Sequence, residues 1–156
     1  MKIRTHEKHA TKDEELVALM VPLQAGEWHG CLAEALWAEK VERGYLLRSS
    51  PFHAFDLAAE DIVAASEIGG VLTFEKVIER GGGSNYRLVS ERGAAALADR
   101  LEALEELEVS YEISDTLIAL DVPPQADLDA VYGLLVDGEE EGAWTFEEGH
   151  VSEDAA

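Results

Sequence analysis

The sequence predicts an α+β protein. A small bent β-sheet or partial barrel comes first, followed by a ferredoxin-like βαββαβ sheet with two helices on one face. Three observations carry this. Between about residues 15 and 90, short alternating apolar runs are separated by tight glycine turns, the pattern of a small, strongly bent sheet. After Ser90, apolar residues recur at helical spacing twice, at Ala94, Leu97, Leu101 and Leu104 and at Leu128, Val131, Leu134 and Leu135. The stretch DTLIALDVPPQADLDAVYGLLVDGEEEGAWTFEEG, from Asp115 to Gly149, reads strand, double proline, helix, glycine turn, strand.

Taken in order, residues 1–14 are charged and lack apolar periodicity, which predicts a disordered polar tail. His6 and His9 are three apart, a spacing that puts two imidazoles on one helix face, but the run is not HExxH and nothing in it favours a helix. From Glu15 to Leu23, Val17, Leu19, Val21 and Leu23 share one strand face, and Pro22 marks an edge or a terminus. A loop with two glycines, Gln24 to Gly30, follows. Cys31 to Val41 contains helix-forming Ala, Leu and Glu, yet its end reads as a hairpin with Gly44 in the turn. Strands are therefore predicted over Leu36 to Val41 and Tyr45 to Arg48. Ser49 to Ala59 is an irregular crossing segment in which Pro51 blocks a ladder and Phe52 and Phe55 cap the core. Asp61 to Ser66 begins another strand, Gly69-Gly70 turns it, and Val71 to Arg80 returns with Leu72, Phe74 and Ile78 on one face. Gly81-Gly82-Gly83 leads into a strand over Ser84 to Ser90.

Ser90 is placed to cap the first helix. Val109 to Ile113 and Thr116 to Val122 read as strands around a turn at Asp115, and Pro123-Pro124 stops the second. Asp127 is placed to cap the second helix, Gly138 and Gly142 frame an acidic turn, and Ala143 to Glu147 is the last strand. From Ser84 the order is β-α-β-β-α-β, and the right-handed crossover rule puts both helices on one face. The expected organisation is a polar tail over 1–14, a small β module over 15–83, a ferredoxin-like domain over 84–149 and an acidic tail over 150–156.

The 156 residues suffice for one mid-sized domain or two small modules that share a core. Thirty-three acids against 12 bases leave a formal charge of −21, a surface that repels phosphate backbones and disfavours nucleic acid and anionic membranes. Three readings of the charge stand: solubility with salt adaptation, a basic protein partner, or storage and sensing of cations. The single Cys31 excludes an internal disulfide. The start lacks the apolar core of a signal peptide, and the longest apolar run, Leu16 to Leu23, is too short to span a bilayer, so a cytoplasmic protein is expected.

Several blocks are shared with a known family: Leu36-Trp37-Ala38-Glu39, Ser50-Pro51-Phe52-His53-Ala54, Asp61-Ile62-Val63, Gly83-Ser84-Asn85-Tyr86-Arg87, Leu120-Asp121-Val122-Pro123-Pro124 and Trp144-Thr145-Phe146-Glu147-Glu148-Gly149. In their order and spacing, from about Glu15 to Gly149, the chain resembles an uncharacterised bacterial family, domain of unknown function 4265. The resemblance implies no activity. It also implies a glycine, and often a cysteine, around Leu107-Glu108-Val109, and an aromatic residue where this chain has His53.

Arg87, on a predicted strand just after the triple glycine, is the best candidate for gripping a carboxylate or phosphate; a cross-strand pair with Glu75 or Glu79 is the competing structural role. The Gly81-Gly82-Gly83-Ser84-Asn85 run would make an anion nest or, more simply, a hairpin turn. Trp37 and Trp144, with Phe52 and Phe55, either line a groove between the halves or fill the core; Trp37, Trp144, Arg87 and His53 are the ligand-binding candidates. Cys31 with His29 or His53 is a conceivable nucleophile pair, though nothing in the spacing joins them. Zinc spacing and calcium-loop alternation are both absent, so neither metal nor cofactor is expected. The first functional reading is a non-enzymatic binding or regulatory protein meeting a basic partner through its acidic surface. The second is a small-molecule sensor or carrier with its site between the halves. The third is a small Cys/His-dependent enzyme.

Overall fold

A computed structural model describes residues 3–7, 15–24, 31–93 and 95–152. The protein is α+β, with two helices and two sheets of six and four strands. The first sheet contains β1 (Ile3–Arg4), β2 (Leu16–Pro22), β3 (Ala33–Val41), β4 (Gly44–Leu47), β5 (Ile62–Ile68) and β6 (Val71–Glu79). From β2 to β6 each strand pairs antiparallel with the next, and β6 returns to β2 through a parallel pair, Met20 with Thr73. The five strands thus close into a barrel. Parallel closure is forced, because the first and last strands of a five-stranded meander run the same way. Its core is Leu19, Val21, Leu36, Ala38, Leu47 and Val63, plugged by Ala54 and Leu57 of the crossing segment.

Two turns place the barrel strands. Gly69 and Gly70 lie at φ +60° and +82°, as a two-residue hairpin with both central residues left-handed requires. At the other hairpin Glu42 and Arg43 make the turn, and Gly44, expected within it, is the first residue of β4. A β-carbon on Gly44 would overlap the Val63 carbonyl, so the glycine permits strand contact rather than a turn. Two register shifts between β5 and β6 bring Val77, not the expected Ile78, onto the core with Leu72 and Phe74.

The second sheet has the order β10-β7-β9-β8, every pair antiparallel, from β7 (Ser84–Val89), β8 (Ser110–Ser114), β9 (Leu117–Val122) and β10 (Thr145–His150). Helix α1 (Ala98–Glu106) joins β7 to β8, and α2 (Leu128–Glu140) joins β9 to β10. Tyr86, Leu88, Ile118, Leu120 and Val122 form one apolar sheet face that shares a core with Leu101 and Leu104 of α1 and Val131 and Leu135 of α2. By strand alternation the opposite face carries Asn85, Arg87, Ala119, Asp121, Ser110 and Glu112.

Asp127 caps α2 as expected, its side chain accepting from the Ala130 amide. Ser90 does not cap α1: its hydroxyl donates to the Ala143 carbonyl and accepts from the Arg92 amide, and a single turn at Ala95–Leu97 intervenes before the helix. Ala94 lies outside the described residues. Gly138 belongs to α2 rather than to a turn, because the Trp144 indole packs where its β-carbon would be. Both helices end in Schellman motifs. Amides of Gly142 and Ala143 reach back to Glu139 and Gly138, and those of Glu108 and Val109 to Glu105 and Leu104. The last strand runs past Glu147 to His150, with a bulge between Glu148 and His150.

The expectation of a loose N-terminal tail fails for residues 3–7. Ile3 and Arg4 pair in parallel with Ala33 and Glu34, and His6 is buried. The cause is polar: His6 finds a partner on each sheet and Arg4 bonds the crossing segment and the second sheet, which apolar periodicity does not report. Residues 8–14 lie outside the described residues.

Candidate functional site at the junction of the two sheets

The crossing segment between β4 and β5 lies between the barrel and the polar face of the second sheet. Its centre, Phe52 to Ala54, has no ladder of its own, so its backbone groups need other partners. They find two buried side chains. Glu34, on β3 of the barrel, accepts three amides: Phe52 at 2.6 Å on Oε2, and His53 at 3.0 Å and Ala54 at 2.9 Å on Oε1. Arg87, on β7, donates to the carbonyls of the same residues, to Phe52 at 3.2 Å, Ala54 at 2.8 Å and also His53. One acid and one base from different sheets thus hold opposite sides of one backbone turn. Glu34 has no exposed surface and Arg87 is 2% exposed.

Neighbouring groups complete the clamp. Asn85 Oδ1 accepts from Arg87 at 3.0 Å, and Asn85 Nδ2 donates to Ser50 Oγ and the Pro51 carbonyl. Phe55 lies over the guanidinium at 4.6 Å, and Glu147 is 3.7 Å from its Nε. Gly149 passes directly above, where a β-carbon would overlap both Arg87 and Asn85. Farther along, buried Asp61 accepts from the Ala58 and Gly81 amides and from Arg80, which also binds Asp56.

His6 joins the junction from the N-terminus. It donates from Nε2 to Glu34 at 2.5 Å and from Nδ1 to Glu112 of β8 at 2.7 Å. With carboxylates on both nitrogens the ring is an imidazolium. Burial alone would lower its pKa, but the bonds to Glu112 and Glu34 win and push it up to about 9. Burial would likewise raise the Glu34 carboxyl; the His6 bond and charge and the Phe52 and Ala54 amides hold it below the ordinary range. Arg4 donates to His53 Nε2 at 3.1 Å and to Ser114 Oγ at 3.0 Å.

Two openings border the junction. A cleft of about 220 Å³ runs between Arg48, Ser49 and Ser50 and the sheet residues Ser110, Glu112 and Asp121. Burial, then the nearby Glu60 charge, raise the Asp121 carboxyl to about 6 against a bond from Ser110. A cavity of about 170 Å³ is bordered by Phe52, His53, Arg87, Leu117 and Glu147.

Of the four ligand-binding candidates, Arg87 and His53 meet at this smaller cavity. Arg87 pairs with neither Glu75 nor Glu79; its nitrogens are directed at the crossing segment. Trp37 lies one step away, its indole N–H donating to the His6 carbonyl at 3.0 Å. Trp144 is not part of a shared groove. It sits in the helix-side core, donating to the Leu135 carbonyl with Arg100 over its ring. Cys31 is fully buried, and no hydrogen bond joins it to His53 among the described residues; His9 and His29 lie outside them. No cluster of metal-ligating side chains occurs among the described residues. No described helix is long and apolar enough to cross a membrane.

Glu34 escaped the sequence reading, and His6 and Asn85 entered it in other roles, as a metal-pair spacing with His9 and as the end of a glycine-rich run. Glu34 did carry a signal: it alternates with Leu36 and Ala38, so a strand placing those two inside places the acid inside too. His6 carried none, because its partners lie 28 and 106 residues away.

Barrel, helix-backed sheet and ionic junction define a two-sheet α+β protein whose most buried charges serve its own backbone. The chain belongs to the family described as Domain of unknown function (DUF4265), which matches residues 34–146. A solved crystal structure of a hypothetical protein from Neisseria gonorrhoeae is similar in fold, with a TM-score of 0.75 over 88% of this chain and 96% of that one. The two are 22% identical. Among curated proteins, none matches the chain.

Proposed function

We propose that this is a non-enzymatic binding module whose acidic helix layer receives a basic protein partner. In this reading residues 15–83 form one module and residues 84–149 a ferredoxin-like one, with the helices facing away from the barrel. The observation that carries it is the placement of acids where the helices least tolerate them. Neither helix has a base in its last turn, yet α1 ends in Glu105-Glu106 and α2 in Glu139-Glu140. Acids at a helix C-terminus oppose the macrodipole at about 0.3–1 kcal/mol each, so they weaken the fold they sit on. A basic surface would turn that local cost into binding energy. The buried Arg87, Glu34 and Asp61 are consumed in holding the crossing segment, which leaves little for chemistry.

The test is capture from the source lysate at low salt on immobilised protein, beside a variant with Glu105, Glu106, Glu139 and Glu140 replaced by glutamine. A basic protein retained by the first, lost on the second and released by about 0.5 M salt supports the reading. No protein whose retention follows those four acids would sink it.

A second reading, a small-molecule carrier, draws on the cleft at Asp121. Its carboxyl, raised to about 6, faces a space shared with Glu112 and Ser110, an arrangement that suits an amine or a hydrated cation. A thermal-shift screen of polyamines and amino sugars tests it; a flat response across the set counts against it.

A further inference from the structure

The edge of β3 is shared between strands of unequal length. Along one edge β2 pairs with it from Ala33 to Glu39. Along the other, β4 has four residues and pairs only with Ala38 to Val41. Ahead of that contact, Ala33 and Glu34 pair with the N-terminal segment instead, in parallel, as Ile3 with Ala33 and Arg4 with Glu34. This is the geometry of strand addition to an open edge, where ladder bonds give affinity and pockets for alternate side chains give specificity.

The seat has both features. Trp37 Nε1 donates to the His6 carbonyl, and Glu112 Oε2 accepts from the Glu7 amide at 2.7 Å. Arg4 and His6 point inward, while Ile3, Thr5 and Glu7 are exposed. The imidazole stacks on Phe52, ring centroids 4.6 Å apart at 19°, between the Glu34 and Glu112 carboxylates. The Arg4 guanidinium lies 5.9 Å over the same ring and bonds His53 and Ser114.

Neither core includes the segment. The barrel closes through β2 and β6 without β1, and no residue of 3–7 belongs to either buried apolar cluster. Glu34 keeps three backbone amides whatever occupies the seat. Because Ile3–Glu7 belongs to the same chain, its docking is intramolecular and needs less intrinsic affinity than a separate peptide does.

We propose that this edge is a docking site for an extended basic peptide with arginine and histidine two residues apart, and that Ile3–Glu7 is the chain's own occupant, displaced when a partner's segment enters parallel to β3. The acidic pair Glu34 and Glu112 and the Phe52 face recognise the histidine, and His53 and Ser114 the arginine. The surface is distinct from the helix layer, so either assignment can fail alone.

The test uses the full chain with Arg4→Ala and His6→Ala together, and a fluorescent peptide of the sequence MKIRTHEKHA, followed by anisotropy. The double variant is expected to bind it one to one, about tenfold or more tighter than the unsubstituted chain does. A peptide with alanine in place of its arginine and first histidine should not bind. A folded double variant that ignores the peptide, or binds both peptides alike, overturns the proposal. So does an unfolded one, which would make the segment integral to the fold. Amide exchange on the unsubstituted chain is the second measure: residues 3–7 should exchange about 100-fold faster than Leu36 and Ala38, and equal protection overturns the proposal.

Discussion

Glu108 sits at φ +72°, the position after the α1 C-cap that a Schellman motif ordinarily gives to glycine. The family pattern implies a glycine in this neighbourhood, and the backbone shows what it would do there. Glu108→Gly should raise stability by about 1 kcal/mol, the cost of a β-carbon in the left-handed region. Urea unfolding checks it, and an unchanged midpoint would mean the strain is relieved elsewhere. Arg87 has the opposite sensitivity. Its fork serves three carbonyls and Asn85, so Arg87→Lys keeps the charge and loses the geometry. The expected loss is about 2–4 kcal/mol by the same assay, and a loss under about 1 kcal/mol would show the clamp to be dispensable. Arg87 was legible in the sequence as an unusual cation on a strand. Its use was not, because the acceptors are backbone atoms more than thirty residues earlier in the chain.

At the scale of elements, the N-terminal segment couples to pH. The His6 pKa is about 9 when folded, above the ordinary 6.5. Its contribution is therefore complete below about pH 6.5 and lost as pH rises through about 9. Glu34 works in the other direction. Held below 4.5 when folded, it contributes above that value and loses its contribution as pH falls through the lower folded pKa. Stability should thus decline on the alkaline side between about 6.5 and 9, and His6→Gln should flatten that limb. Chemical denaturation across pH measures it; an unchanged alkaline limb in the variant would exclude His6 as the cause. Groups facing the ring include Arg4 through Phe52, as well as the two carboxylates. Strand and helix existence was legible from β2 onward, since alternation in β2 and β9 and the helical stripes in α1 and α2 all report local burial, whereas β1 carried no such pattern. Boundaries were not, where a close contact rather than a turn selects glycine, as at Gly44 and Gly138.

For the molecule as a whole, a charge of −21 acts against compaction. The Debye length shrinks from about 30 Å at 0.01 M to about 8 Å at 0.15 M, so added salt should raise the melting temperature by several degrees. The four-glutamine helix variant should start higher and gain less. Equal salt responses in the two proteins would locate the repulsion away from the helix ends. What the sequence determined by itself was local: the fold class, most strands, both helices and the excess acid. These depend on periodicity and composition, which neighbouring residues carry. The tertiary structure alone decided that β6 closes onto β2, that Glu34 and Arg87 grip one backbone turn from two sheets, and that His6 is buried between acids. Each of these joins groups far apart in the chain through a few isolated contacts, which leave no repeating pattern to read.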